Sequence, residues 1–294
     1  MNALNSVMTS LFDVLLTPFE WIGPRTALVL VSGLFGVLAL YAFKYISWQA
    51  GIKAAKDRIK GHMIEIRIYQ DDLVVVGKAV SKVLFRNFQY VGLNFGPFIP
   101  LAIPFVLVAA QFVVRYAYDP IEVQAQYAQL MPGQGTMVEV TFADEQRAQA
   151  AEASIELSAG LVAIGPIVRS AAAGRVFQEI VAVQPGEHTL VVSLADGTQE
   201  TKSVVAGDEP IRKMQPRRAS ARDWYRADDT ELWAALWPGE PLLASDSPIR
   251  GIAIHYPHRD QGWMLDGEIG ILITLVVASM LFGFAALKPL GVQI

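Results

Sequence analysis

The chain has 294 residues, of which 53% are hydrophobic and 18% charged, with a net charge of −4 and no cysteine. Without cysteine, disulfides and thiolate metal sites are excluded, and the slightly acidic balance leaves no global footprint for nucleic acid. Charge is segregated along the chain: three stretches hold none, whereas residues 119–266 have the composition of an ordinary soluble domain.

The chain opens with LNSVMTSLFDVLLTPFEW. Leu4, Val7, Met8, Leu11, Phe12, Leu15, Leu16 and Phe19 recur at helical spacing, which predicts a helix over 1–22 with one apolar face. Its opposite face is polar but has no Lys or Arg, a pattern suited to lying flat in the outer membrane interface. Packing against an outer domain is the alternative. With no basic start and no small-residue cleavage site, the region does not read as a signal peptide, so the span that follows is expected to stay in the membrane.

The uncharged stretches are 26–43, 87–114 and 269–287. A bilayer core needs about 20 apolar residues per helix, so transmembrane helices are expected over 25–48, 93–116 and 268–288. Between the first two, residues 44–92 carry nine Lys or Arg against four acids, a net of +5, while residues 1–24 carry no Lys or Arg. The tendency of basic loops to stay inside then places the N-terminus and 119–266 outside, and the loop and C-terminus in the cytoplasm, of a multi-pass protein of the inner (plasma) membrane. The loop itself predicts a basic helical hairpin over 49–91. One stripe runs through Ile52, Ala55, Ile59, Met63 and Ile66, another through Leu73, Val76, Val80, Val83 or Leu84, and Phe88, with a turn at 69–72. Its basic face suits anionic headgroups or RNA, or is simply solvated.

Beyond the second span the period changes to two. Strands are expected at 122–126, 136–142, 154–157, 176–183, 188–194 and 198–205, with turns at PGEH (185–188) and ADGT (195–198). That spacing predicts an all-β sandwich of immunoglobulin-like type over 119–266. A short helix is expected at 228–236. Trp224, Trp233, Trp237 and Trp263 read as core or interface anchors, and Asp228, Asp229 and Glu231 as a solvated charge run.

No catalytic signature occurs: the chain lacks a phosphate-binding loop, a nucleophile elbow and an H-E-x-x-H motif. An enzyme is therefore not expected, nor a metal or cofactor; His255 and His258 in HYPH are separated by a proline that disfavours shared ligation. Polar and small residues inside the spans are the informative feature. Ser32, Gly33 and Gly36, then Gln111, then Thr274, Ser279 and Gly283 either let helices approach closely or face a wet cavity. On the second reading Ser32, Gly36, Lys44, Arg86 and Gln111 line a groove for hydrophobic substrates.

The order of parts resembles the Oxa1/YidC membrane-insertase superfamily, in particular its minimal three-span archaeal and eukaryotic members. The likeness rests on LFDVLLTPFEWIG (11–23), KAAKDRIKGHMIEIR (53–67) and PFIPLAIPF (97–105), whose Pro97, Pro100 and Pro104 are similar to the proline-marked start of the family's post-hairpin span. Pro97 and Pro100 fit a first helical turn, while Pro104 predicts a kink. The resemblance implies insertion or assembly of membrane proteins, without cofactor. The implied partners are the lipid bilayer, nascent membrane proteins and a ribosome at the basic hairpin, with an envelope protein as a further candidate at the β-domain. The alternative is a non-catalytic scaffold subunit of an envelope complex. The chain departs from the family in having no arginine inside SGLFGVLALYAF, only Met63 as methionine in the hairpin, and a β-domain between the second and third spans.

Overall fold

The computed structural model describes residues 2–207, 213–221, 240–262 and 264–292. The expected helix at 228–236, the charge run within it, and Trp224, Trp233, Trp237 and Trp263 lie outside the described residues. Two compact units divide the chain: Met1–Leu28 with Leu107–Ile273, and Val29–Val106 with Thr274–Ile294.

The helices are α1 (Asn2–Glu20), α2 (Pro24–Ile46), α3 (Gln49–Ile68), α4 (Leu73–Phe95), α5 (Phe98–Tyr116) and α6 (Gly267–Leu290). Three segments are long and apolar enough to cross a membrane: Pro24–Ile46, Leu73–Tyr116, which takes in both α4 and α5, and Gly267–Leu290. Large apolar side chains stand exposed along them, among them Leu34, Leu38, Ile103, Val277, Leu281 and Phe284. Such a surface is costly in water and suits hydrocarbon.

In the second unit, α3 and α4 form an antiparallel pair, with Lys56 near the start of α3 over the Tyr90 ring near the end of α4. The turn at 69–72 stands where the sequence places it, without glycine, because Asp72 caps α4. Its Oδ1 accepts from the amides of Val74 (2.9 Å) and Val75 (3.1 Å), which satisfies two donors the helix start leaves open. Leu40, Phe43, Ile52 and Val292 form the core, with Tyr90, Leu93 and Leu101 packed on it. Pro97 stands just before α5, Pro100 in its first turn, and Pro104 inside the helix.

In the first unit, α1 divides its apolar residues between two directions. Phe12 and Leu16 are buried, with Phe12 edge-on to Phe112 of α5 at 6.3 Å, while Val7, Leu11 and Val14 are exposed. The helix therefore does not gather its apolar residues on one face with a polar face opposite: some pack inward and others are left exposed.

Among the described residues the β-region of that unit has nine strands, labelled β1 (Thr136–Phe142), β2 (Ser154–Leu157), β3 (Leu161–Ala163), β4 (Val168–Ser170), β5 (Arg175–Ala182), β6 (Gly186–Ser193), β7 (Gln199–Ala206), β8 (Arg217–Ala219) and β9 (Ile249–Ile254). They form an antiparallel sheet in the order β3-β5-β1-β9-β8, with β4 also on β5, and a second sheet, β2-β6-β7. Alternation drives the burial: in TMVEVTF, Val138, Val140 and Phe142 face the core. The segment expected as a strand at 122–126 instead makes isolated bridges, Ile121 to Ala206 and Val123 to Ala182, and so touches both sheets.

Candidate functional site

In the second unit, two of the expected groove residues on α2, Gly36 and Lys44, meet α6 instead. A Cβ on Gly36 would lie 2.1 Å from the Ser279 carbonyl oxygen, and one on Gly33 would lie 2.6 Å from the Phe282 ring. Gly36 therefore lets α2 approach the α6 backbone, while Gly33 leaves room for the Phe282 ring. Lys44 donates to the Leu290 carbonyl at 2.7 Å, where a cation meets the negative end of the α6 dipole and an open C-terminal carbonyl. Arg86 lies on α4, nine residues before that helix ends, or about 14 Å along its axis; its guanidinium donates to Gln89 at 2.6 Å and rests over Phe85. Ser32 is fully buried, and its hydroxyl has no partner among the described residues.

In the first unit, Gln111 is also fully buried. Its Oε1 accepts a long bond of 3.4 Å from Arg115 Nε one helical turn on, and its Nε2 has no partner among the described residues. A buried amide left half-satisfied costs about 1–3 kcal/mol, so the position favours a ligand or segment that brings an acceptor.

Arg115 leads to a cluster that reading the sequence did not isolate. Its guanidinium donates to Asp13 Oδ1 of α1, while Lys213 donates to Asp13 Oδ2 at 2.9 Å. One carboxylate thus joins α1, the end of α5 and the chain beyond β7. Burial raises the Asp13 pKa, but hydrogen bonds from Lys213 and Arg115 outweigh it and hold the carboxyl below its usual range. A signal for this existed. Asp13 is the first charged residue in the chain, in the middle of an otherwise apolar run, and Arg115 closes the second uncharged stretch.

Further polar contacts tie the end of α5 to the start of α6 within the same unit. Tyr118 hydrogen-bonds Glu268, Gln261 donates to the Tyr116 carbonyl at 2.7 Å, and Arg259 donates to Asp119 at 2.6 Å. Of the two histidines in HYPH, His258 stacks edge-on against Tyr118, and His255 stands 3.4 Å from Glu139. They face different partners. Among the described residues no group of three His, Asp or Glu could hold a metal ion.

The arrangement offers hydrogen bonds and fixed charge. Set against known proteins, the chain matches no family model, no curated protein and no solved structure.

Proposed function

We propose that this chain is a multi-pass inner-membrane protein that helps hydrophobic segments enter or assemble in the bilayer, in the manner of the Oxa1/YidC superfamily. The observation that carries the reading is a fully buried polar group without a partner among the described residues on each of two segments apolar enough to span a membrane: Ser32 Oγ in one unit and, separately, Gln111 Nε2 in the other. Moving a polar flank through hydrocarbon costs several kcal/mol. A polar atom with spare bonding capacity at depth lowers that cost without chemistry or cofactor.

The reading narrows the expected groove. Ser32 and Gln111 each remain as a candidate within its own unit, Gly36 and Lys44 hold α2 to α6, and Arg86 belongs to the hairpin. It takes the hairpin and C-terminus as cytoplasmic, the N-terminus as outside, and the two outer sheets as the faces of an immunoglobulin-like sandwich.

Photocrosslinking groups placed singly at Ser32 and at Gln111 test the proposal. Adducts with nascent membrane proteins are expected at both positions. Their absence, under conditions where a known insertase gives adducts, overturns it. Ser32→Ala and Gln111→Leu should slow insertion of segments with polar flanks and leave wholly apolar ones unchanged.

A second reading, a scaffold subunit of an envelope complex, is favoured by the Asp13–Arg115–Lys213 cluster, which fastens α1 and the end of one membrane-length segment to the chain between β7 and β8. A fixed-stoichiometry assembly surviving mild detergent would support it, whereas transient ribosome or substrate contacts support the first.

A further inference from the structure

One face of α2 has no part in either reading. Leu30, Leu34, Leu38, Tyr41 and Tyr45 follow one another at spacings of four, four, three and four, which is one stripe of an α-helix. All five are exposed, Tyr45 at 68%, while Ser32, Leu40 and Phe43 are buried on the opposite side. Along the stripe the chemistry changes once. Three leucines come first, with no polar atom in their side chains. Two tyrosines follow, each an apolar ring with a polar tip. Trp48, two residues past the helix, continues the change at 65% exposure. Its ring lies over the start of α3, 2.4 Å from where a Cβ on Gly51 would stand.

The same change occurs on α6. Val277, Leu281 and Phe284 are exposed and share one stripe with Lys288, also exposed, at spacings of four, three and four. Lys44 ties the two levels together, because its ammonium donates to the Leu290 carbonyl at 2.7 Å. Lys44 stands between the two tyrosines in sequence, and Leu290 two residues beyond Lys288. Helix α5 starts at this level too. Its first residue, Phe98, lies against Phe43 with ring centroids 6.0 Å apart. From there α5 runs back along α2, with Phe105 beside Phe35 at 6.2 Å, and Ile99 and Ile103 are exposed.

We infer that the lipid headgroup layer crosses the molecule at Tyr41–Trp48 and Lys288, with the leucines of α2 against acyl chains and the aromatic tips among glycerol esters and phosphates. Rings with one polar end settle at such a boundary, and a lysine at a helix end reaches it along its apolar stem. Tyr45 donates to Tyr41 at 3.2 Å, which leaves the Tyr41 proton for an acceptor outside the chain, such as an ester oxygen. The agreement between helices favours lipid over a protein partner. A protein lying on the α2 stripe has no reason to change chemistry where α6 does, whereas a planar boundary must. Depth follows from the assignment. Ser32 lies nine residues before Tyr41, about 14 Å along the axis, which is near the middle of a hydrocarbon core of about 30 Å. The inference does not rest on the insertase reading, holds equally for a scaffold, and is independent of which compartment the hairpin faces.

The test uses the full chain reconstituted in phosphatidylcholine vesicles. Because the chain has no cysteine, Leu34→Cys, Leu38→Cys, Tyr45→Cys and Lys288→Cys each accept a single nitroxide. Its collisions with oxygen and with a water-soluble nickel complex report depth. Labels at 34 and 38 should be rich in oxygen collisions and poor in nickel. The label at 45, seven residues past 38, should stand about 10 Å nearer water, level with the label at 288 to within one helical turn. A label at 45 as rich in oxygen collisions as the one at 34 overturns the inference, because the boundary would then lie further along the hairpin. Labels at 45 and 288 that differ by more than a turn overturn it as well. Few collisions with either reagent at 34 and 38 would show the stripe covered by protein, and would do the same. Insertion activity is not the readout, so failure here and failure of the insertase reading are distinguishable.

Discussion

Asp13 illustrates how one side chain sets a junction. Its carboxyl lies below the ordinary value of 3.8, because hydrogen bonds from Lys213 and Arg115 outweigh the opposing effect of burial. A carboxyl lowered on folding contributes its full stabilisation above the unfolded value and loses it as pH falls through the folded one. Unfolding in detergent should therefore show stability declining as pH drops below about 4, with Asp13→Asn flattening that decline. Because the Asp13 side chain is 41% exposed, screening limits the loss at neutral pH to about 1–2 kcal/mol. Lys202 is the opposite case, with a side chain 1% exposed. Burial pushes its pKa down against the pull of Glu240; its ammonium donates to Glu240 at 3.2 Å and to the Gln215 carbonyl at 2.7 Å. Glu240→Gln should cost about 3 kcal/mol by leaving a buried charge without its counter-ion, and adding Lys202→Met should recover most of it. The Glu240→Gln penalty should also shrink as pH rises toward 10.5, because the unfolded chain holds that proton more tightly than the folded one. A double-mutant cycle by thermal unfolding measures both effects.

Helices were more legible than strands, for physical reasons. The hairpin turn at 69–72 could be placed because two amphipathic stripes end there, and Asp72 supplies the cap that a glycine was not needed for. Strands β3 and β4 have three residues each, too few to show a period of two. Strand β9 escaped notice because glycine interrupts IRGIAI. The structure gives the reason: a Cβ at Gly251 would lie 2.6 Å from Arg217 Nε, so the arginine of β8 lies across the place where a side chain would stand. The small residues of α2 could be read as packing or as groove, and only the approach of Ser279 decides for packing at Gly36. Gly36→Ala should therefore destabilise by about 1–3 kcal/mol through overpacking. Gly61→Ala on α3, where a Cβ meets nothing within 4 Å, should stabilise by about 0.5–1 kcal/mol. Equal effects at the two positions would remove the packing role from Gly36.

At the scale of the whole molecule, charge is the feature on which the proposed sidedness rests. The basic stretch 44–92 and the cation-free first 24 residues favour an orientation with the hairpin inside and the β-region outside. Met131→Cys and Ile68→Cys, at positions 71% and 65% exposed, report on this in a chain that has no other thiol. A membrane-impermeant maleimide added to intact cells should label the first at once and the second only after permeabilisation; the reverse order would invert the topology. Removing Lys82 and Arg86 lowers the loop from +5 to +3, still more basic than the cation-free N-terminal region, so the doubly substituted chain should label with the native sidedness.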